Sequence, residues 1–486
     1  MERAENRQVL SPGRTCWRIE RANRLSVIID AADYFAAIKE AIFKARHTVI
    51  LIGWDFDTRI KLVPQDETSA APNQLGRYLA WVVKRRPDLR VYVLKWDLGM
   101  LQALGRGSTP LVVLNWLTSK RIRFKLDHAH PTGSAHHQKI VVIDDSLAFC
   151  GGIDMTADRW DTREHLDDDP RRVRPTTKRR YGPWHDVTTA VDGDAARALG
   201  ELARDRWKRA TDEDIPKSRT VSDAWPKGMK PTLRNVDVAI SRTLPDYGGH
   251  AAVHEIEALY LAVIAATQRT LYIESQYFAS RKIVEALVLR LREPNGPEII
   301  IINPDTADGW LEEKVMGSSR ARLLRVIRNS DVHDRFRIYT PVTRNGEPIY
   351  VHAKVVVMDD RLLRVGSSNL NNRSLGFDTE CDLSVEALPN QSEPLRRRIV
   401  ELRNDLLAEH LGVDVATVEK AIARQENSLI AAIEELRGQG RTLVRFEPPE
   451  LHAIEEDVLA ESDLLDPERP SSAWHWLKFG SLFSRK

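Results

Sequence analysis

Two eight-residue segments hold the side chains best suited to chemistry. His137-Gln-Lys139-Ile-Val-Val-Ile-Asp144 and His352-Ala-Lys354-Val-Val-Val-Met-Asp359 share the pattern His-x-Lys-x-x-x-x-Asp. In each, six residues separate the Asp from a pair of small residues, Gly151-Gly152 in one and Gly366-Ser367 in the other. A phosphodiester carries one negative charge and is attacked slowly. Its cleavage needs a nucleophile, an acid for the leaving alkoxide, and cations around the non-bridging oxygens. A neutral imidazole can attack phosphorus and form a phosphohistidine, which splits one hard displacement into two easier ones. A second imidazole, protonated near neutral pH, can give its proton to the leaving oxygen and later take one from water. Lys139 and Lys354 would clamp the phosphate, with hydrogen bonds added at Gly152, Ser367 and Asn369. This apparatus calls for no metal and no cofactor. Each copy supplies only half of it, so one site is expected where two halves of the chain meet, near a pseudo-twofold axis.

The elements that must position these residues repeat as well. Apolar strand-like runs at 49–54, 91–94 and near 121–125 precede the first segment, and runs at 271–273, 298–302 and 336–339 precede the second. Between them lie stretches of helical periodicity, such as 33–45 and 254–265. The run of β-branched residues between each Lys and Asp reads as a buried central strand. On such a strand the His and Lys, two apart, project from one face. The fold class expected is α/β: two duplicated α/β sandwich domains, mixed sheets flanked by helices, related by a pseudo-twofold axis. The boundaries expected are 1–225 and 226–410 for the two domains, with the connection near 211–235. A helical extension and acidic tail would fill 411–486, and helices are read at 393–410 and 415–437.

Composition narrows the partners. Lys and Arg number 72 against 70 Asp and Glu, a net charge of +2, which offers no field for nucleic acid, so none is expected. The three cysteines, Cys16, Cys150 and Cys381, are too scattered for a disulfide framework or a zinc site. No stretch reaches the roughly 18 apolar residues of a membrane span, and no signal-like apolar run follows the N-terminus. The expectation is a monomer, cytoplasmic or peripheral to a membrane, with export that reads no N-terminal signal as a further route.

Several ordered motifs between about 40 and 390 carry a resemblance. These are Gly151-Gly152-Ile153-Asp154, Arg159-Trp160-Asp161-Thr162, Pro183-Trp184-His185-Asp186, Ile273-Glu274-Ser275-Gln276-Tyr277-Phe278, and Gly366-Ser367-Ser368-Asn369 with Arg373-Ser374 and Glu380. Together they resemble the phospholipase D family, in its phosphatidylcholine-cleaving branch. The resemblance implies a phosphohistidine mechanism on a phospholipid at a membrane surface, hydrolysis to phosphatidic acid, and competing transfer to alcohols. It further implies that each catalytic His is oriented by a carboxylate outside its own motif. By position these are Asp186 for His137 and Glu380 for His352, leaving Asp144 and Asp359 with structural duties. It favours His137 as the nucleophile. The runner-up functions are a cardiolipin synthase-like phosphatidyltransferase, a nuclease or other phosphodiesterase on the same scaffold, and a non-catalytic lipid-binding module. Two intact motifs argue against the last.

Three other features take plain readings. The His128, His130, His136 and His137 cluster reads as a loop with one catalytic member rather than a zinc site. The basic run Arg171, Arg172, Arg174, Lys178, Arg179 and Arg180 reads as a solvated loop ahead of a patch for anionic lipid. Trp54, Trp96 and Tyr277 end strands at the expected cleft, where core packing and a wall for the substrate are equal readings.

Overall fold

The structure, a computed structural model, describes residues 8–66, 70–97, 120–218, 222–306, 320–388 and 393–447. The acidic tail lies outside the described residues. In the first half the strands are β1 (Arg18–Ile29), β2 (Thr48–Gly53), β3 (Arg90–Trp96), β4 (Ile122–Asp127), β5 (Ile140–Ile143), β6 (Leu147–Gly151), β7 (Trp184–His185) and β8 (Val187–Asp192). In the second they are β9 (Leu233–Leu244), β10 (Val253–His254), β11 (Thr270–Glu274), β12 (Glu298–Ile302), β13 (Phe336–Val342), β14 (Tyr350–Val351), β15 (Val355–Met358), β16 (Leu362–Gly366), β17 (Glu380–Glu386) and β18 (Thr442–Arg445).

Among the described residues one sheet takes up sixteen of these strands. Outward from its centre the first half runs β1, β8, β6, β5, β2, β3, β4, and the second runs β9, β17, β16, β15, β11, β12, β13. The pairing senses match step for step: four antiparallel contacts, then two parallel ones. The duplication in the sequence is thus a duplication of topology. The two copies join through the antiparallel β1–β9 ladder, with Arg18 opposite Ile240 and Leu25 opposite Leu233.

Both faces of the sheet are covered, which is why the strands read as unbroken Val/Ile runs. Ile50, Ile52, Val142, Tyr272, Ile300 and Val357 face a core that runs through both halves. Trp207 of the helix Gly193–Thr211 and Leu406 and Leu407 of the helix Glu393–Leu411 close that core. Their neighbours Val49, Leu51 and Val141 face a separate core under the helix Ala31–Lys44, whose Phe35, Ile38 and Ile42 fall on one side. In the second half Leu271, Ile299 and Val356 do the same under the helix Glu255–Ala266.

Two expectations change here. The stretch 415–437 is two helices, Val415–Arg424 and Leu429–Leu436, broken where Glu426 and Asn427 take left-handed backbone angles of 52° and 69°. The segment after 411 is not only helical, because β18 pairs antiparallel with β13 and extends the sheet. The motif Asp residues hold the strand starts. Asp144 accepts from the backbone N–H of Arg46, His47 and Thr48 at 2.7–2.8 Å, and Asp359 accepts from Gln268, Arg269 and Thr270 at 2.8–3.0 Å.

Candidate active site

His137 and Lys139 stand just ahead of β5, and His352 and Lys354 just ahead of β15, rather than on the strands themselves. What fixes them is contact between halves. The segment Ala135–His137 lies along Asp378–Glu380, with the His137 N–H donating to the Thr379 carbonyl at 3.0 Å and the Thr379 N–H to the Ala135 carbonyl at 3.0 Å. Likewise β14 pairs with β7, and the His352 N–H donates to the His185 carbonyl at 2.8 Å.

This exchange reverses the carboxylate pairing that the resemblance implied. His137 Nδ1 lies 2.9 and 3.0 Å from the Glu380 oxygens, and His352 Nδ1 lies 2.7 Å from Asp186 Oδ2. Each imidazole is therefore held by an acid from the other half. Position along the chain suggested the opposite pairing because it assumed that each half was self-contained. Glu380 is braced by hydroxyls of Ser374 at 2.7 Å and Ser367 at 2.5 Å. Asp186 Oδ1 accepts the Val187 N–H at 2.8 Å.

The site is buried, and burial sets its proton affinities. Burial, then Lys139 and Lys354, hold His137 well below the usual imidazole range. Burial, then Lys354 and Arg159, do the same to His352. Burial lifts Glu380 to about 8 against the pull of Lys139, and Asp186 to about 7 against that of Lys354. Lys354, buried and beside Lys139, falls to about 7. The result is two neutral imidazoles, each sharing a proton with its acid near neutral pH. His137 keeps 15% of its side chain open and His352 only 6%.

The lysines differ. Lys139 pairs with Asp154 at 3.1 Å. The matching position in the second half is Asn369, so Lys354 meets no carboxylate there and contacts the His352 carbonyl and Gln276 Oε1. Of the three expected phosphate contacts, two are corrected. The Ser367 hydroxyl is spent on Glu380, and its N–H on Asp382 and the Cys381 carbonyl. The Gly152 N–H is spent on the Val187 carbonyl, and its missing side chain makes room for Asp186, since a Cβ there would come within 2.1 Å of Oδ1. Asn369 remains, buried, and among the described residues its Oδ1 has no partner.

Aromatic rings at the strand ends stack in pairs. Trp54 stacks on Trp96 at 5.8 Å, Trp184 on Tyr350 at 4.5 Å, and Gln276 donates to the hydroxyls of Tyr277 and Tyr350. The four clustered histidines do not converge: His128 and His130 turn to Asp97, and His136 to Thr379. The basic run is largely paired with Asp158, Asp161, Asp168 and Asp169. Arg172 is not solvated at all but buried on Asp161, because that carboxylate also holds His165 and the Trp184 N–H.

A second group went unread in the sequence. Asp30, His165, His185 and Glu409, all buried, bring four ligand atoms within 4.8 Å of one another. His185 Nδ1 is 2.9 Å from Glu409 Oε1 and 3.2 Å from Asp30 Oδ1, and His165 Nε2 is 3.2 Å from the same Glu409 oxygen. Their outer nitrogens rest on Glu274 and Asp161 at 3.0 Å each. Two imidazoles and two carboxylates, the imidazoles backed by further carboxylates, could hold a divalent cation. Without one, the carboxylates keep both imidazoles charged: they overcome burial, lifting His165 to about 9 and His185 well above its usual range. Four distant segments build this group. Its one local signal was the Trp184-His185-Asp186 triplet.

Comparison with known proteins places these features. Residues 41–283 match the family profile described as Phospholipase D, and residues 260–398 match that described as Cardiolipin synthase, PLD-like domain. The chain is 25% identical over 482 residues to Phospholipase D A of Dictyostelium discoideum, covering 82% of this chain and 36% of that protein. It is 23% identical over 542 residues to Phospholipase D delta of Arabidopsis thaliana, covering 76% and 62%. It thus spans only part of the length of either relative. Its fold is similar to that of the phosphatidylserine synthase of Haemophilus influenzae, with a TM-score of 0.54 at 14% identity, covering 85% of this chain and 97% of that one.

Proposed function

The chain belongs to the phospholipase D family, and on that premise we propose that it cleaves the headgroup-side phosphodiester bond of glycerophospholipids such as phosphatidylcholine. The products are phosphatidic acid and free headgroup, and alcohols compete with water as acceptors. The observation that carries this reading is the exchanged pair of acids, Glu380 on His137 and Asp186 on His352, which makes two imidazoles of opposite halves into one buried acid–base couple.

In the reaction His137 Nε2 attacks phosphorus while His352 gives its Nε2 proton to the departing headgroup oxygen and takes up at Nδ1 the proton it shares with Asp186. The P–O bond breaks as the P–N bond forms. His352 then takes a proton from water or an alcohol, whose oxygen displaces His137. The wider opening at His137 supports its role as nucleophile. Lys139, Lys354 and the Asn369 amide face the phosphate oxygens. Because the intermediate is indifferent to its acceptor, a phosphatidyltransferase working on an alcoholic lipid is the second reading, favoured by the match of residues 260–398. The described residues include no helix long and apolar enough to cross a membrane; we read the chain as a monomer that meets lipid at a membrane surface.

The test offers the full chain mixed phospholipid vesicles with a primary alcohol, and single- and double-stranded DNA in parallel. Phosphatidic acid and phosphatidyl alcohol should form, and His137→Asn and His352→Asn should each abolish both at unchanged melting temperature. Cleavage of DNA with lipid left intact would replace this reading with a nuclease.

A further inference from the structure

We propose that Arg159 is a third cation of the phosphodiester site, donating from its guanidinium to a non-bridging phosphate oxygen alongside Lys139 and Lys354. The inference rests on the reading of that site as one that binds a phosphodiester.

Arg159 is 5% exposed and stacks its guanidinium 4.1 Å over the Trp184 ring, which itself lies 5.2 Å from the His352 ring. Its charge bears on His352, Asp186 and Lys354 alike. Yet among the described residues its one hydrogen bond is from Nη1 to the Asp158 carbonyl at 3.3 Å, and its buried Nε has no partner. Other buried guanidiniums are provided for. Arg172, Arg206, Arg361 and Arg364 face Asp161, Asp127, Glu386 and Asp382. Arg320 and Arg403 bond amide and carbonyl oxygens.

The acids beside Arg159 in sequence are committed elsewhere, Asp158 to Arg174 and Asp161 to Arg172, His165 and the Trp184 N–H. A buried cation with no carboxylate in direct contact is costly, and stacking on an indole recovers only part of that cost. A diester anion arriving beside His352 supplies the missing charge. The planar fork suits two oxygens of one phosphate, where an ammonium offers only a point charge.

The experiment titrates the full chain with inorganic phosphate by calorimetry, comparing native protein with Arg159→Met and Arg159→Lys and recording melting curves for each. Loss of a charge-assisted contact should weaken phosphate binding in Arg159→Met by about tenfold to a hundredfold, and Arg159→Lys should recover part of it. Phosphate affinity within about twofold of native in Arg159→Met would overturn the proposal and leave the stack a packing feature. Should Arg159→Met not fold, Arg159→Lys decides. Weaker binding at native melting supports the proposal, and unchanged binding overturns it. Because the probe needs no turnover, native protein that binds phosphate but leaves lipid intact would defeat the functional reading alone. Lipid cleavage by a native protein that binds no phosphate would defeat this inference alone.

Discussion

Replacing Asp186 by Asn tests the exchanged acids most sharply. Asp186 Oδ1 accepts the Val187 N–H at 2.8 Å, and Oδ2 faces His352 Nδ1 at 2.7 Å. In the variant the amide oxygen stays with Val187, and the NH2 turns to His352. The resting imidazole tolerates this by carrying its proton on Nε2. The imidazolium does not, because two N–H donors would then meet at close range. A charge-assisted bond worth about 1.5–3 kcal/mol is lost, and a buried donor left unmade adds about 1–3 kcal/mol. Together these put about 3–5 kcal/mol on any step that passes through His352 as a cation, a fall of roughly 10²–10⁴ in kcat. KM should rise as well at neutral pH, since the Asp186 charge is what supports the Lys354 proton against burial. Glu380→Gln should cost about tenfold or less, because the Ser367 and Ser374 hydroxyls can rotate to accept its NH2 and leave the amide oxygen on His137. The assay is saturation kinetics on short-chain phospholipid beside thermal melts. A kcat for Asp186→Asn within tenfold of native, at matched melting, would refute the reasoning.

Three further outcomes follow from the same geometry. Gly152→Ala should lower kcat and destabilise the fold by about 1–3 kcal/mol, since its Cβ would press within 2.1 Å of Asp186 Oδ1; native kcat would show that the acid need not sit there. As pH rises through about 7, Lys354 loses its proton and with it the charge that holds the diester, so kcat/KM should fall on the alkaline side. Lys354→Arg should push that limb upward, and an unmoved limb would assign it to another group. Turnover should persist in chelator, because two imidazoles and two lysines already supply a metal's electrostatic work. Loss restored by one divalent ion, with metal content measured, would place a working cation in the Asp30, His165, His185 and Glu409 group.

Local chemistry was legible in the sequence wherever the chain carries it within a few residues. The two His-x-Lys segments, the strands between Lys and Asp, and the repeat of topology all announce themselves by type and spacing. The acids could not be assigned that way. Which histidine receives Glu380 depends on Thr379 docking on Ala135, a contact between halves that no periodicity encodes. Ser367 looked like a phosphate contact because small hydroxyls beside a glycine often are one, whereas here it steadies the acid behind the histidine. The cluster of Asp30, His165, His185 and Glu409 was invisible for the same reason as the exchanged acids, and the visible cluster of four histidines disperses. The helix break at Glu426 and Asn427 is a backbone choice made by two residues that helices tolerate elsewhere.

The exchange of acids across the β1–β9 seam also sets an order in time. His137 must wait for a carboxylate 243 residues further along the chain. A ribosome that has delivered only the first half has therefore made a sheet in which Lys139 has Asp154 but His137 lacks the carboxylate that orients it. Competence arrives late, when Glu380 at the start of β17 reaches His137 and β14, pairing with β7, brings His352 to Asp186.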